Sequence, residues 1–183
     1  MLKDLLSEAE VSRIIQAAPT LRLKAMMAVL AYSGVRSGEF VRLRVRDFDG
    51  GNNQVYVEQG KNKRDRFVHI PAECTRLVAD YLRTTTLAGE DPLFTTVVRN
   101  ARLATADLRK IVRVLRSKAG IQQRVHPHVF RHSLASTLLN RGASLHLIKM
   151  QLGHQFYEST LIYAQSMPAR QRTEYDMFKP AYV

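Results

Sequence analysis

The chain has 183 residues, of which 45% are hydrophobic and 24% charged, the proportions of an ordinary globular protein with one domain or two small ones. No apolar run approaches the ~20 residues that cross a bilayer, and the single cysteine, Cys74, excludes an internal disulfide. Twenty-eight Lys and Arg against sixteen Asp and Glu give a net charge of +12, so we expect a polyanionic partner, and the lone cysteine suits the reducing cytoplasm.

The first part of the chain is predicted to be helical. Ser7 and Glu10 stand at the spacing of a capping box and open a first helix. Helical spacing of apolar residues then predicts a second helix from about Thr20 to a stop near Gly34. A short third helix is expected over residues 37–43, with Ser37 able to cap it.

The hydrophobic period changes after this point from that of a helix to that of a strand. Residues 54–58 alternate between polar and apolar side chains, and residues 66–70 alternate again. Between them, the segment Gly60-Lys61-Asn62-Lys63 has the composition of a turn. We therefore predict a β-hairpin with a lysine-rich tip.

The rest of the chain returns to helical patterns. Pro71 opens a helix, the stretch 84–104 is irregular, and a further helix begins at Thr105 and ends at Gly120. Three more helices are expected at about residues 127–141, 144–152 and 158–165, with a last one possible within 169–178. The predicted fold class is α+β, mainly helical, with one small antiparallel sheet.

Positive charge is concentrated between Arg99 and Arg131, a stretch that contains nine basic residues and one acidic residue, Asp107. On the helix that begins at Thr105, most of the basic residues fall outside the apolar stripe, so this helix can lie across a phosphate backbone. A membrane surface or an acidic protein would also suit this charge. The residues predicted to bind DNA are Arg109, Lys110, Arg113, Arg116 and Arg124.

Four short segments carry side chains that suit phosphate chemistry, namely the turn with Arg36 and Glu39, the pair His128 and Arg131, the sequence Leu152-Gly153-His154, and Tyr163. His128 and Arg131 are three residues apart, so both project from one helix face. His128 and His132 have a spacing that would also suit a metal ion, but no acidic or cysteine ligand accompanies them. Each signal is weak alone, whereas their order and spacing are specific.

In this order the segments resemble the catalytic domain of the tyrosine recombinases, the family of phage integrases and bacterial chromosome-dimer resolvases. The family pattern is an arginine in a G-x-R-x-x-E turn, then H-x-x-R, then L-G-H, and a nucleophilic tyrosine nine positions later. The resemblance extends from Ser7 to Tyr163, and Phe40 stands where leucine is common in the family. It implies the catalytic core of a DNA breaking and rejoining enzyme.

The resemblance also implies the reaction, in which Tyr163 attacks a DNA phosphate and forms a 3′-phosphotyrosine without a metal ion, another cofactor or ATP. Arg36 and Arg131 would bind the phosphate oxygens, because a guanidinium is always charged and can fork onto two oxygens. His128 would take the proton of the tyrosine, and His154 would donate a hydrogen bond to the phosphate.

A lysine at the hairpin tip is implied as the general acid for the departing 5′ oxygen. The family commonly has G-K-G-x-K-x-R there, and this chain matches it with one residue missing or shifted. We assign the role to Lys61, which follows Gly60 directly, and Lys63 remains an alternative. Glu39 is expected to support the Arg36 turn, and His132 to support the site.

The expected partner is double-stranded DNA, bound by a homotetramer on paired sites, with a monomer in the absence of DNA and no membrane. Residues 1–166 are predicted to be the catalytic domain and residues 167–183 a tail that docks on a neighbouring protomer, while the usual N-terminal DNA-gripping domain of the family is expected to be absent. A type IB topoisomerase, a DNA-binding module without catalysis and a metal-dependent nuclease are the alternatives. The sequence leaves open the target site and the choice between integration, excision, inversion and resolution.

Overall fold

A computed structural model of the protein describes residues 5–58, 65–97 and 101–153. These contain seven α-helices, α1 to α7, at Glu8–Gln16, Leu21–Ser33, Ser37–Phe40, Ala72–Arg83, Thr105–Lys118, Pro127–Asn140 and Leu145–Leu152. Three strands, β1 to β3, lie at Phe48–Asp49, Gln54–Val57 and Arg66–His69. The described part is therefore mainly helical with one small sheet, as predicted. The helices expected at residues 158–165 and within 169–178 lie outside the described residues.

The first two helices begin where the sequence predicts, and α2 also ends as predicted. The Ser7 hydroxyl accepts from the Glu10 amide while the Glu10 carboxylate accepts from the Ser7 amide, which completes the capping box of α1. Thr20 caps α2, and Gly34 ends it in the left-handed conformation at φ +66°. A side chain at Gly34 would also meet Leu152 of α7, since a Cβ there would lie 2.5 Å from the Leu152 Cδ2. Gly34 thus allows α7 to approach the end of α2.

The third helix is shorter than predicted, and Ser37 is its first residue instead of its cap. It ends at Phe40 because the chain beyond turns to meet the segment around Leu93. The Leu93 amide donates to the Leu43 carbonyl at 2.8 Å, and Arg44 forms an isolated bridge with Pro92. These partners are about 50 residues away in the chain, so local sequence could not reveal them.

The sheet has three antiparallel strands in the order β1-β2-β3. The hairpin β2–β3 is the one predicted, and its register pairs Val57 with Arg66 at the end from which residues 58–65 connect the two strands. Strand β1 was not predicted, because its two residues are too few to show alternation; Phe48 pairs with Val55. The face of the sheet that carries Val55, Val57 and Val68 is buried in the core.

Helix α2 lies at the centre of the core. Its residues from Ala25 to Leu30 are completely buried, including Met26 and Met27. A second, smaller cluster joins α6 to α7 through Ala135, Leu139, Ile148 and Leu152. The C-terminal ends of α2 and α7 therefore meet near Gly34. No helix among the described residues has the length and apolarity needed to span a membrane.

Candidate active site

Arg36 lies in the turn that joins α2 to α3. Its backbone is extended, and its side chain stays about one third exposed, which leaves the guanidinium accessible. Its Nη1 donates to the Glu39 Oε1 at 3.1 Å, and its Nη2 donates to the Gly153 carbonyl at 3.4 Å. Gly153 ends α7, so the guanidinium reaches the residue that directly precedes His154. The first and third sequence motifs are therefore adjacent in space.

The carboxylate of Glu39 is buried beneath this turn. It accepts from the Arg36 amide at 2.8 Å as well as from the Arg36 side chain, so it holds both the backbone and the guanidinium of that residue. Burial alone would raise the pKa of Glu39, but hydrogen bonds from Arg66 and Arg36, together with their charges, lower it to about 2. Glu39 is thus ionised at neutral pH and lies where support of Arg36 requires it.

Arg66, the first residue of β3, is the second partner of Glu39. Its Nη1 and Nη2 donate to the two carboxylate oxygens at 3.2 and 3.0 Å, and the side chain is buried. Arg66 was not among the predicted site residues. A signal was present, because Arg66 alternates with Phe67 and so shares the inward face of the strand with Val68. A charge on the inward face of a strand requires a partner.

Arg131 lies on α6 and is 5% exposed. Its Nη1 donates to the carbonyl of Gly34 at 2.5 Å, across 97 residues of sequence. Gly34 precedes Arg36 by two residues, so the two arginines of the predicted phosphate clamp meet at the same turn. The structure therefore brings together the first and second motifs as well.

The two candidate histidines of α6 are exposed beside these arginines. Partial burial, followed by the positive charges of His126, Arg131 and Arg36, lowers the pKa of His128 below its ordinary value of 6.5. For His132, burial and then the charges of His128, Arg131 and His126 lower the pKa. Both imidazoles are consequently neutral at pH 7, and a neutral imidazole can accept a proton.

Four candidate residues lie outside the described part of the chain, namely Lys61, Lys63, His154 and Tyr163. Two described residues that are close in sequence to these candidates lie at the site. Arg66 follows Lys63 by three positions and contacts Glu39, while Gly153 directly precedes His154 and contacts Arg36.

The predicted DNA-binding residues divide into two groups. Arg109, Lys110 and Arg113 on α5 and Arg124 in the α5–α6 loop are exposed. Arg116 is half-buried, and its Nη1 donates to the carbonyls of Gln122 and Gln123 at 3.1 and 3.0 Å. Arg116 therefore has a structural role in closing the α5–α6 loop, which its sequence position did not reveal.

Metal binding by His128 and His132 was the competing interpretation of their spacing. Within residues 5–58, 65–97 and 101–153, no three His, Cys, Asp or Glu side chains are grouped so that they could hold a metal ion. The groups beside His128 that lower its pKa include two permanent cations, Arg131 and Arg36. Such surroundings favour an anion over a cation.

Comparison with known proteins shows extensive similarity. The model of the phage integrase family matches residues 4–170. The tyrosine recombinase XerD of Ralstonia nicotianae is 35% identical in an alignment of 185 positions, which covers 96% of this chain and 60% of that protein. A tyrosine recombinase of Pseudothermotoga lettingae is 28% identical over 163 residues, covering 88% of this chain and 56% of that protein.

Solved structures agree with this. The crystal structure of XerA recombinase has 36% sequence identity and a TM-score of 0.82, and the match covers 97% of this chain and 66% of that one. XerH site-specific recombinase bound to palindromic difH substrate, at 22% identity and a TM-score of 0.79, shares the fold over 98% of this chain and 54% of its own. The chain thus spans little more than half the length of the curated relatives it matches.

Proposed function

Because the chain belongs to the phage integrase family, we propose that it is a site-specific tyrosine recombinase, which breaks and rejoins DNA through a 3′-phosphotyrosine intermediate. The observation that carries this proposal is the meeting of two arginines at one turn. Arg131 donates to the carbonyl of Gly34, and Arg36 follows two residues later beside the end of α7. Two guanidinium groups in such proximity suit the oxygens of a single phosphate.

In the proposed reaction, the Tyr163 oxygen attacks the phosphorus and its proton passes to His128. The bond between phosphorus and the 5′ oxygen breaks, and Lys61 gives that oxygen a proton. Arg36 and Arg131 neutralise the non-bridging oxygens, and His154 adds a hydrogen bond. Rejoining reverses these steps with a 5′ hydroxyl of another strand, so the energy of the broken bond is conserved and neither ATP nor a metal ion is used.

The test is covalent capture on DNA. In a duplex with a nick just beyond the cleaved phosphate, attack releases a short fragment that bears the 5′ hydroxyl. Because rejoining needs that hydroxyl, the protein stays attached to the 3′ phosphate of the remaining strand. We expect a protein–DNA adduct that forms equally well in excess EDTA and whose nucleotide-bearing peptide contains Tyr163. Salt-dependent DNA binding without any adduct, on every site tried, would instead favour a DNA-binding module without catalysis. An adduct abolished by EDTA would contradict the metal-free mechanism.

The rate of adduct formation is expected to depend on pH through His128. The pKa of this imidazole lies below its ordinary value of 6.5, so the neutral form, which can accept a proton, predominates from pH 8 down to about pH 7. Below that range it becomes protonated, and the rate should fall. The measurement is the second-order rate constant of adduct formation at DNA concentrations below Kd, because this quantity reports the ionisation of the free enzyme.

A histidine variant outside the site provides the control for this pH dependence. His128→Gln should be slow at every pH and lose the acidic limb of the profile, whereas His146→Gln, on α7, should keep the wild-type profile. A wild-type rate that rises as the pH falls from 8 to 5 would contradict a proton-accepting role for His128.

Double-stranded DNA is the proposed partner, as XerH and lambda integrase have been solved with their DNA sites. We propose that four protomers assemble on paired sites, that the protein is a monomer without DNA, and that it acts in the cytoplasm, where its DNA partner lies. The exposed cations of α5 and Arg124 would contact the phosphate backbone, which makes binding weaken steeply with salt.

We further propose that residues 167–183 of one protomer dock on the next. The described residues form a groove of about 1610 Å³ between α1, α2, β3, α6 and α7. Phe67, Leu147 and Met150 line it and are about half exposed, so the groove offers apolar surface to a partner segment. The tail supplies Tyr175, Met177 and Phe178 as matching apolar side chains.

Deleting residues 167–183 should therefore abolish assembly on paired sites while leaving cleavage of a single site near the wild-type rate. Mass measurement of the complexes by light scattering gives the first quantity, and adduct formation gives the second. Met150→Glu, which places a charge in the groove, should reproduce the loss of assembly, whereas Glu73→Gln, which removes a charge from its lining, should not. Unchanged assembly after the deletion would refute the docking proposal.

A further inference from the structure

The carboxylate of Glu39 is shared equally between two arginines. Its Oε1 accepts from the Nη1 of Arg36 and the Nη1 of Arg66, at 3.1 and 3.2 Å. Its Oε2 accepts from the amide of Arg36 and the Nη2 of Arg66, at 2.8 and 3.0 Å. Arg66 thus donates to both oxygens and fixes the plane of the carboxylate. Arg36 donates to the same two oxygens.

Arg66 is also bonded to α7. Its Nε donates to the carbonyl of Gln151 in α7 at 3.4 Å. The Gln151 side chain in turn accepts from the His69 amide at 3.1 Å and donates to the His69 carbonyl at 2.8 Å, which attaches α7 to β3. The same side-chain nitrogen reaches the carbonyls of Tyr32 and Ser33 at the end of α2, at 3.3 and 3.4 Å.

The elements joined in this way are the ones that carry the proposed catalytic groups. Strand β3 follows the segment with Lys61, the end of α2 leads to Arg36, and α7 leads to His154. Arg66 and its partners lie between these elements and are buried, so they do not touch the DNA phosphate themselves.

We propose that Arg66 is a positioning residue for DNA cleavage, which acts through Glu39 to fix Arg36 relative to the hairpin and α7. The inference rests on the proposed recombinase function for its effect on cleavage, and on the hydrogen-bond geometry for its effect on Arg36. The two bonds from Arg66 prevent rotation of the Glu39 carboxylate. Once that carboxylate is free to rotate, the Arg36 amide and guanidinium lose their fixed acceptors.

The first test compares two arginine-to-methionine substitutions. Arg66→Met removes both bonds to Glu39 while keeping an apolar side chain of similar length. Arg22→Met is the matched control, because the Nη1 of Arg22 also makes a part-buried hydrogen bond, to the Thr95 carbonyl at 2.7 Å, at the start of α2 and away from Glu39. Adduct formation is measured at saturating DNA, per folded molecule, alongside Kd for the same DNA.

Arg66→Met is expected to slow adduct formation on the order of 10- to 100-fold, the effect of a small displacement of a catalytic group, with little change in Kd. Arg22→Met is expected to keep the wild-type rate. A wild-type rate per folded molecule in Arg66→Met would overturn the inference, and so would an equal loss in both variants, because that result would indicate a general effect of destabilisation.

The second test does not use activity. Hydrogen exchange of the peptide that spans residues 34–40 reports the Arg36 amide, which donates to Glu39. Exchange of this peptide should be faster in Arg66→Met and unchanged in Arg22→Met, while peptides from α2 remain protected in both. Unchanged exchange in Arg66→Met would refute the positioning role even if the wild-type protein formed no adduct. A wild-type protein without adduct contradicts only the proposed function.

If Arg66→Met leaves too little folded protein, Arg66→Lys replaces it. An ammonium keeps the charge but cannot bond both carboxylate oxygens in the fork geometry, so a smaller slowing and a smaller rise in exchange are expected. The double variant Arg66→Met/Glu39→Gln also removes the Glu39 carboxylate, which the loss of Arg66 would leave buried without this partner. It is the third variant to use if the first two do not fold. Wild-type exchange of residues 34–40 in either of these variants would overturn the inference.

Discussion

Replacing Arg131 with lysine is expected to slow adduct formation by roughly 100- to 1000-fold, the effect of losing one preorganised donor to the transition state. The Nη1 of Arg131 donates to the Gly34 carbonyl, and that bond fixes the planar guanidinium at the turn that carries Arg36. A lysine has a single flexible ammonium, so it cannot bond Gly34 and point a second, rigid donor at the phosphate. The measurement is single-turnover adduct formation at saturating DNA.

Lysine is the informative substitution at this position because it retains the charge. Arg131 is 5% exposed, so alanine would leave a cavity in α6 and confuse the loss of catalysis with the loss of stability. Arg83→Lys, at an exposed residue of α4 that pairs with Asp80, serves as the control and should cleave at the wild-type rate. A rate for Arg131→Lys within about threefold of wild type, far from the loss expected for a transition-state donor, would remove Arg131 from the proposed mechanism.

Helix ends are the part of the fold that the sequence reveals best. The Ser7–Glu10 capping box, the Thr20 cap and the glycine stops at Gly34 and Gly153 are interactions within one helical turn. Both partners therefore lie within the same few residues of sequence. The Ser7–Glu10 capping box and the stop near Gly34 were therefore predictable without knowledge of the tertiary structure.

The end of α3 and the strand β1 required information from distant parts of the chain. Helix α3 ends where Leu43 and Arg44 pair with residues 92 and 93, and β1 exists because Phe48 pairs with Val55. Neither pairing has a local signal, since two residues are too few to show the alternation of a strand. Long-range hydrogen bonds, rather than propensity, decide these boundaries.

In the candidate site, the residues proposed to contact DNA were predicted, whereas the residues that support them were not. Residues that would touch the phosphate were found from the order and spacing of their motifs, and the structure brings Arg36 and Arg131 to one turn. Arg66 and Gln151 were missed because they act on other protein groups. Their partners, Glu39 and His69, lie 27 and 82 residues away in the chain.

This difference has a physical cause. A buried ion pair such as Arg66–Glu39 is favourable only when both charges are paired and hydrogen-bonded, which depends on the packing of three elements at once. Alternation in β3 identifies which residues share a face but not which face is buried. Once the inward face is known, Arg66 is the conspicuous residue on it.

Tyr163→Phe is expected to abolish the covalent adduct while leaving folding and DNA affinity near wild-type values. The substitution removes one oxygen and keeps the ring, so any packing of the side chain is retained and only the nucleophile is lost. Tyr163 lies outside the described residues, and its assignment depends on its position nine residues beyond His154. The measurement is adduct formation on the nicked duplex, resolved on a denaturing gel, with Kd measured on the same DNA.

The chain has seven tyrosines, and three of them can be compared from the structure. Burial raises the pKa of Tyr32 and of Tyr81, and a hydrogen bond from the Tyr56 hydroxyl to Asp65, at 2.6 Å, raises that of Tyr56. A raised pKa means that the phenol retains its proton more firmly, which makes all three poor nucleophiles. Tyr56→Phe is therefore the matched control and should form adduct at the wild-type rate. An adduct that persists in Tyr163→Phe would transfer the nucleophilic role to another tyrosine, with Tyr157→Phe as the next variant to test.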